Sequence, residues 1–445
     1  MKSRLVALIG LTLVVMPSLA AAHDARVDAR IAAMVAQVSA AHLRADDTTL
    51  VRFGTRNDFS ETSSSATHGV FAARDWIATQ FRQIAKHTDG RMTVRLDTYL
   101  QPKTAHTPRA VTESSVIATL VGSEPGRIYV VSSHYDDCNG DCTNGTRPAP
   151  GADDNGSGTS AVLEVARVMA HTSFRGTIIF ACFDGEELGL WGSNHFAKEF
   201  RAARTPITAD LNDDIIGNSV GGNGRSEPNV IRVFSQALPI GTRDALVNLI
   251  GSENDSPSRE LARFAAQTIP TYVPSMQVRQ IFRDDRFLRG GDQESFQSQG
   301  FPAIRFVEPH ENFAHQHQNV RIENGVRYGD LLRFNNWQYL ERATQVNVAV
   351  LAALALGPAQ PKQVEMPLTH LGYTTTLRWK PAADAVSYEI VWRATDAPLW
   401  QHARDVGNAT QATIDHSADN FIFAVRSVDR QGHRSVAVYP KPVRV

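Results

Sequence analysis

Cysteine is scarce in this chain, three residues in 445, which excludes a disulfide scaffold as the source of its stability. An excess of charge of one sign is also missing. Lys and Arg number 45 against 46 Asp and Glu, so the net charge does not single out nucleic acid or an anionic membrane as a partner. The apolar run Leu5 to Leu19 falls short of the roughly 20 residues that cross a bilayer. It follows Lys2 and Arg4 and ends at Ala20-Ala21-Ala22, the pattern of a secretory signal over residues 1–22. The expectation is an exported protein, secreted or periplasmic, with no membrane span after the signal is removed. Repeats and low-complexity tracts are lacking as well. What the chain does have is length and a 42% apolar composition, enough to bury a large core and to form two domains.

Helical spacing of apolar residues predicts helices from Ala25 to about Leu43 and from Val70 to Ile84, with a Ser/Thr/Asn-rich loop between them. Strands are expected at Met92 to Leu100, Ser115 to Leu120 and Arg127 to Ser132. Beyond them, helix Thr159 to Ala170, strand Gly176 to Phe183 and helix Leu190 to Arg201 alternate as in an α/β domain with a mainly parallel mixed sheet flanked by helices. Phe301 to Phe306 reads as a later core strand, and Trp337 to Leu356 as a closing helix stopped by Gly357-Pro358. This domain spans 23–357. After a polar linker at 358–367, short alternating runs over 368–445 predict a small all-β sandwich.

The chemistry gathers where such strands end. His134 closes one strand, Glu186-Glu187 follow another, and Asp153-Asp154 lie in the glycine-rich turn Gly151 to Gly158, ahead of a helix. Together with Asp214 and His315, residues His134, Asp154 and Glu187 form a nitrogen and oxygen donor set without thiolate, which suits catalytic zinc. If Asp154 bridges two ions, each ion has three protein ligands and an open position for a shared water. Glu186, beside a ligand, is then the general base. Asp136, two residues after His134, points to the same side and can orient the imidazole. Taken singly, each acidic turn is more simply a solvated loop; their order and placement favour an enzyme.

These residues resemble the di-zinc aminopeptidases of metallopeptidase family 28. The likeness rests on Ser133-His134-Tyr135-Asp136, Pro150 to Gly158, Glu186 to Ser193 and Asn212 to Gly217. It implies that His134, Asp154 and Asp214 hold one zinc and that Asp154, Glu187 and a late histidine hold the other, with Glu186 as base and Asp136 supporting His134. The late histidine is assigned as His315, because Asn319 then takes the place of the family's acid; His317 and His310 are its rivals. Asp292, in a segment that also resembles the family, is given at most a supporting role. His310 and His315 flank Glu311 but lie five apart, and a zinc-binding helix needs four.

The substrate class implied is peptides or proteins, attacked at the N-terminus. The resemblance also admits a single-zinc glutaminyl cyclase, and a carboxypeptidase or broader peptidase on the same scaffold. Outside enzymes, the chain would be an extracellular binding protein with an inert zinc domain. Trp379, Tyr388 to Trp392 and Phe421 to Val425 resemble a fibronectin type III domain, which admits spacing, attachment to or substrate binding on extracellular or cell-surface material, and equally a passive or processed tail. Cys138 and Cys142, four apart in a polar loop, are read first as a disulfide and next as two thiols, with a metal loop the least favoured reading. Cys182 is expected to be a buried filler.

Overall fold

The computed structural model describes residues 27–238, 254–368 and 372–444. The signal segment 1–22 lies outside them. Among the described residues no helix is long and apolar enough to cross a membrane. An eight-stranded mixed sheet forms the centre, built from β1 (Met92–Gln101), β2 (Val111–Leu120), β3 (Glu124–His134), β4 (Gly176–Phe183), β5 (Ile207–Asp213), β6 (Val230–Ser235), β7 (Gln277–Ile281) and β8 (Ala303–Val307), in the order β1-β2-β4-β3-β5-β8-β6-β7. The central strands β4, β3, β5 and β8 are parallel, while β2 joins β4 and β6 joins β8 in antiparallel fashion. Every residue of β4 is buried. That is why its sequence is a continuous apolar run: helices cover both faces of a parallel sheet.

The helices are α1 (Ala29–Val35), α2 (Ala40–Arg52), α3 (Val70–Ala85), α4 (Gly158–Met169), α5 (Trp191–Ala202), α6 (Pro257–Tyr272), α7 (Gln293–Ser298) and α8 (Trp337–Leu356). The single helix expected from Ala25 to Leu43 is two helices. Ser39 starts the second, its side chain accepting the His42 N–H, so a capping residue overrode continuous apolar spacing. Helix α8 is buried along most of its length, from Tyr339 to Leu356, and packs with α1, α2, α4 and α6 in the main core.

After the short pair β9 (Arg321–Glu323) and β10 (Val326–Tyr328), strands β11 (Lys362–Leu368), β12 (Thr375–Lys380), β13 (Ser387–Ala394), β14 (His402–Asp405), β15 (Gln411–Ile414), β16 (Phe421–Val428) and β17 (Lys441–Arg444) form two sheets. Their orders are β15-β12-β11-β17 and β14-β13-β16, and together they make the C-terminal sandwich. Val364, Leu377 and Trp379 of the first share a core with Tyr388, Ile390 and Phe423 of the second. Strand β11 (Lys362–Leu368) occupies most of the segment read as a linker at 358–367. Its Pro367 and its place shortly after Gly357-Pro358 hid it, although Val364, Met366 and Leu368 alternate with Glu365 and Pro367; its pairing with β12 and β17 makes it a strand.

The sandwich is docked through charge. Arg175, just before β4, reaches Asp384 at 2.6 Å and Asp429 at 3.3 Å. Arg127, near the start of β3, lies 3.6 Å from Asp384. His433 bridges Asp429 and Asp28 at 2.9 and 2.7 Å, and Arg393 pairs with Asp255. The contacts from β3 and β4 lie at the amino ends of the parallel strands.

Candidate metal centre

All candidate ligands come from the carboxyl ends of the parallel strands and the loops beyond them. His134 is the last residue of β3, Asp214 follows β5, and Glu186 and Glu187 follow β4 through Asp184-Gly185. Asp154 sits in a tight segment ahead of α4, entered by Gly151 at φ +49°, where a Cβ would strike the Arg56 guanidinium at 2.6 Å. The segment is held from outside. The Asp330 carboxylate accepts the N–H of Asp153 at 2.9 Å and of Asp154 at 2.7 Å, the buried Arg56 donates to the carbonyls of Tyr135, Pro150 and Gly151, and Asp153 accepts the Gly217 N–H at 2.7 Å.

In the assembled site, His134 Nε2 lies 3.4 Å from Asp154 Oδ1 and 3.6 Å from Asp214 Oδ1. The other Asp154 oxygen, Oδ2, lies 3.2 Å from His317 Nε2, which is also 2.8 Å from Glu187 Oε2. Asp154 therefore shows one oxygen to each half of the cluster. A nitrogen or oxygen of His134, Glu186 and Asp214 also lies within 4.8 Å of the others.

His134 Nε2, Asp214 Oδ1, Glu187 Oε1 and His317 Nε2 are buried and make no hydrogen bond despite this crowding. Burying four polar atoms unpaired is costly. Nitrogen and carboxylate oxygen donors converging without partners fit zinc.

Asp136 holds the arrangement in register. One carboxylate oxygen lies 3.3 Å from His134 Nδ1, and the other accepts the Glu187 N–H at 3.0 Å. The same side chain thus lies against a residue in each half.

The ionisation of the cluster follows its crowding. Burial alone would depress the His134 imidazole, but Glu186, Asp136, Asp154 and Asp214 outweigh it and push its pKa well up. Burial likewise opposes ionised Asp154, yet His134 and His317 hold it well below the usual carboxylate range. Arg305 and His134 do the same for Asp214. Glu186 goes the other way: burial, then the charges of Asp214 and Glu187, raise it well above an ordinary glutamate despite His134. Raised affinity for a proton suits a general base.

The late histidine needs correction. His315 faces away from the cluster, its ring stacked on Phe334 at 3.7 Å with Nε2 against Asn312, and burial lowers its pKa to about 4. His310 is tied to Glu227 at 2.6 Å. His317, at φ +51°, is the one turned into the site. Choosing His315 kept a fixed spacing to Asn319, and a loop that bends at His317 does not keep that spacing. Asn319 instead lies near Gly140.

Sequence reading missed several residues that frame the site. Arg305 is fully buried in β8 and pairs with Asp214 and Asp285, each at 2.7 Å. Its signal was present, because a charge inside Ala303-Ile304-Arg305-Phe306-Val307 demands a buried partner. Arg289 reaches Asp154 at 3.3 Å, and Asp330 and Arg56 clamp the turn. Asp292 is buried with both oxygens unpaired, and burial raises its pKa to about 7. Cys138 and Cys142 form a disulfide whose sulfurs lie within 4.8 Å of donor atoms of Glu187 and His317, so it walls the site and offers no thiolate. Cys182 is free and buried.

Residues 115–328 match the profile of peptidase family M28. A protein of Pyrenophora tritici-repentis named probable zinc metalloprotease is 44% identical over 423 residues, covering 93% of this chain and 87% of its own length. Among solved structures, the LapA aminopeptidase of Legionella pneumophila aligns with a TM-score of 0.52 at 20% identity, over 72% of this chain and 74% of that one. A glutaminyl cyclase of Macrostomum lignano aligns with a TM-score of 0.51 at 16% identity, over 73% and 92%. The likeness to these last two is one of fold.

Proposed function

The chain belongs to peptidase family M28, and from that premise we propose that it is an exported aminopeptidase holding two zinc ions and removing N-terminal residues from peptides. It is a zinc metallopeptidase. The finer reading rests on one observation: Asp154 directs one oxygen toward His134 and the other toward His317, so a single carboxylate can join two ions. His134, Asp154 and Asp214 would hold one, and Asp154, Glu187 and His317 the other. Bound there, the ions supply Lewis acidity and lower the pKa of a water.

The protein's own residues do the rest. Glu186, with a carboxylate oxygen within 4.8 Å of the donor atoms of His134 and Asp214, accepts the proton of the attacking water and passes it to the leaving amine. Asp136 keeps the His134 ring and the Glu187 backbone in place. Arg305 and Arg289 balance the carboxylates from behind and from the mouth. The C-terminal sandwich is read as a fibronectin type III-like module that contacts extracellular or cell-surface material. Export is supported by the N-terminal signal pattern and suits the Cys138–Cys142 disulfide.

The test is mass spectrometry of a mixed peptide pool incubated with the zinc-loaded protein, beside Glu186→Gln. Stepwise loss of N-terminal residues, slowed about 10²- to 10⁴-fold in the variant, is the expected result. Loss of ammonia confined to N-terminal glutamine would replace the reading with a cyclase. Cleavage only at C-termini or inside chains would overturn the exopeptidase direction.

A further inference from the structure

The mouth of the site carries an arginine that is partly exposed, whereas its arginine neighbours are turned inward and hold the loop. The loop after β7 is anchored by Arg286, which binds Asp285 at 2.9 Å and Glu311 at 2.7 Å, and by Arg305, which binds Asp285 and the Gly290 carbonyl. Behind the loop, a Cβ on Gly291 would come within 2.8 Å of the Arg305 guanidinium, so the chain is held close. Those two arginines are committed to structure. Arg289, carried on this anchored loop, has its side chain 24% exposed. Among the described residues its guanidinium donates twice, to Gln316 at 2.8 Å and to Asp154 Oδ2 at 3.3 Å, and it lies 4.0 Å from Glu311, a carboxylate that Arg232 and Arg286 already hold at 2.6 and 2.7 Å.

That Asp154 oxygen also faces His317 and is one the proposed ions would claim. With Asp154 engaged as a ligand, Arg289 would share that acceptor with an ion, yet it keeps its charge at any working pH. A planar fork of donors left in this state at the edge of a cleft matches a carboxylate bidentately. Its position sets the neighbourhood. Arg289 and His317 contact one and the same oxygen, at 3.3 and 3.2 Å, so a carboxylate on the fork would lie beside the cluster, on a group next to the scissile bond.

We propose that Arg289 is a specificity-determining residue that binds a substrate carboxylate adjacent to the scissile bond, an inference that rests on the peptidase reading above. The carboxylate has two sources: the free C-terminus of a dipeptide, or the side chain of an aspartate or glutamate flanking the bond. In either case the enzyme favours short or acidic peptides over their neutral isosteres.

The experiment uses three matched pairs on the zinc-loaded full-length protein: Leu-Gly against Leu-Gly-amide, Leu-Glu-amide against Leu-Gln-amide, and Asp-Gly-amide against Asn-Gly-amide. For each, kcat/KM is measured by release of the N-terminal residue, with Arg289→Gln and Arg289→Lys alongside. At least one pair favours the carboxylate by about 10- to 100-fold, the worth of one charge-assisted pair. The pair that does so identifies the source. Arg289→Gln brings that ratio to near one, and Arg289→Lys keeps part of it because charge survives without the fork. Ratios within about threefold for every pair, or a preference that persists in Arg289→Gln, overturn the proposal.

Calorimetric binding of the same pairs to zinc-loaded Glu186→Gln separates this from the peptidase reading. Arg289-dependent binding without any turnover of the wild-type protein would retain the carboxylate site and reject the aminopeptidase. Turnover of neutral amides with no carboxylate preference in rate or binding would reject the site alone. Absence of both would reject both.

Discussion

His317 and His315 differ by two positions and, on this structure, by function. His317 Nε2 is 2.8 Å from Glu187 and 3.2 Å from Asp154, whereas His315 stacks on Phe334 outside the cluster. Loss of a mere outer partner of a ligand weakens metal binding 10- to 100-fold. Loss of His317, proposed above as one of three protein ligands to its ion, should therefore cost at least about 100-fold, or ~2.7 kcal/mol. At saturating zinc the same ~2.7 kcal/mol disappears from the metal's contribution to folding stability. His315→Ala removes a stacking contact, about 0.5–1.5 kcal/mol of stability, and leaves zinc affinity near the wild-type value. Competition against a chromophoric chelator, with ions counted by elemental mass spectrometry, reads both variants. Wild-type affinity for two ions in His317→Ala, or loss of one ion in His315→Ala, would refute the reasoning.

Asp330→Asn should loosen the Asp153–Asp154 turn, since it trades a carboxylate accepting two N–H groups for an amide whose NH₂ must face a donor; a loss of about 1.5–3 kcal/mol in chemical denaturation is expected, with weaker zinc binding, and an unchanged midpoint would count against the clamp. The hydrogen bond to Asp429, with help from Asp28 and against partial burial, raises the His433 pKa. Its stabilisation is therefore fully present below the ordinary histidine value near 6.5 and is lost as pH rises through the higher folded value. The melting temperature should fall over that window and His433→Asn should flatten the fall; parallel curves for the two proteins would contradict it. Replacing Cys138 and Cys142 together by serine opens a short loop and should cost about 2 kcal/mol on the chain-entropy account, and because the bridge lies beside Glu187 and His317, KM should rise as well.

Most of the central sheet could be read from its own residues. β4 was visible because a strand buried on both faces must be continuously apolar, and α8 because its apolar run is long and ends at Gly357-Pro358. His134, Asp154, Glu187 and Asp214 were legible for a related reason: each sits just past a core strand or before a core helix, where backbone position is set by local pattern. The last histidine was not, because the loop that carries it takes its path from tertiary contacts. The side chains that hold the turn were equally hidden. Asp330 is 176 residues from Asp154 in sequence, and nothing local distinguishes it from a solvated aspartate. β6, β7 and α6 went unread because the stretch between Gly217 and Phe301 mixes charges into half-buried elements, as the alternating exposure of β7 shows.

The charged joint between the two parts has a directional consequence. Arg127 and Arg175 grip the sandwich at the starts of β3 and β4, whereas His134, Glu186 and Glu187 lie at or beyond their finishes. The sheet is thus an axle with an attachment pole and a working pole, and its strands set the separation between them. A surface bound by the sandwich would leave the opening free to the surrounding medium, and a ligand bulky enough to cover the module would not close the cleft. Whatever selects the substrate must be carried by the loops of the working pole.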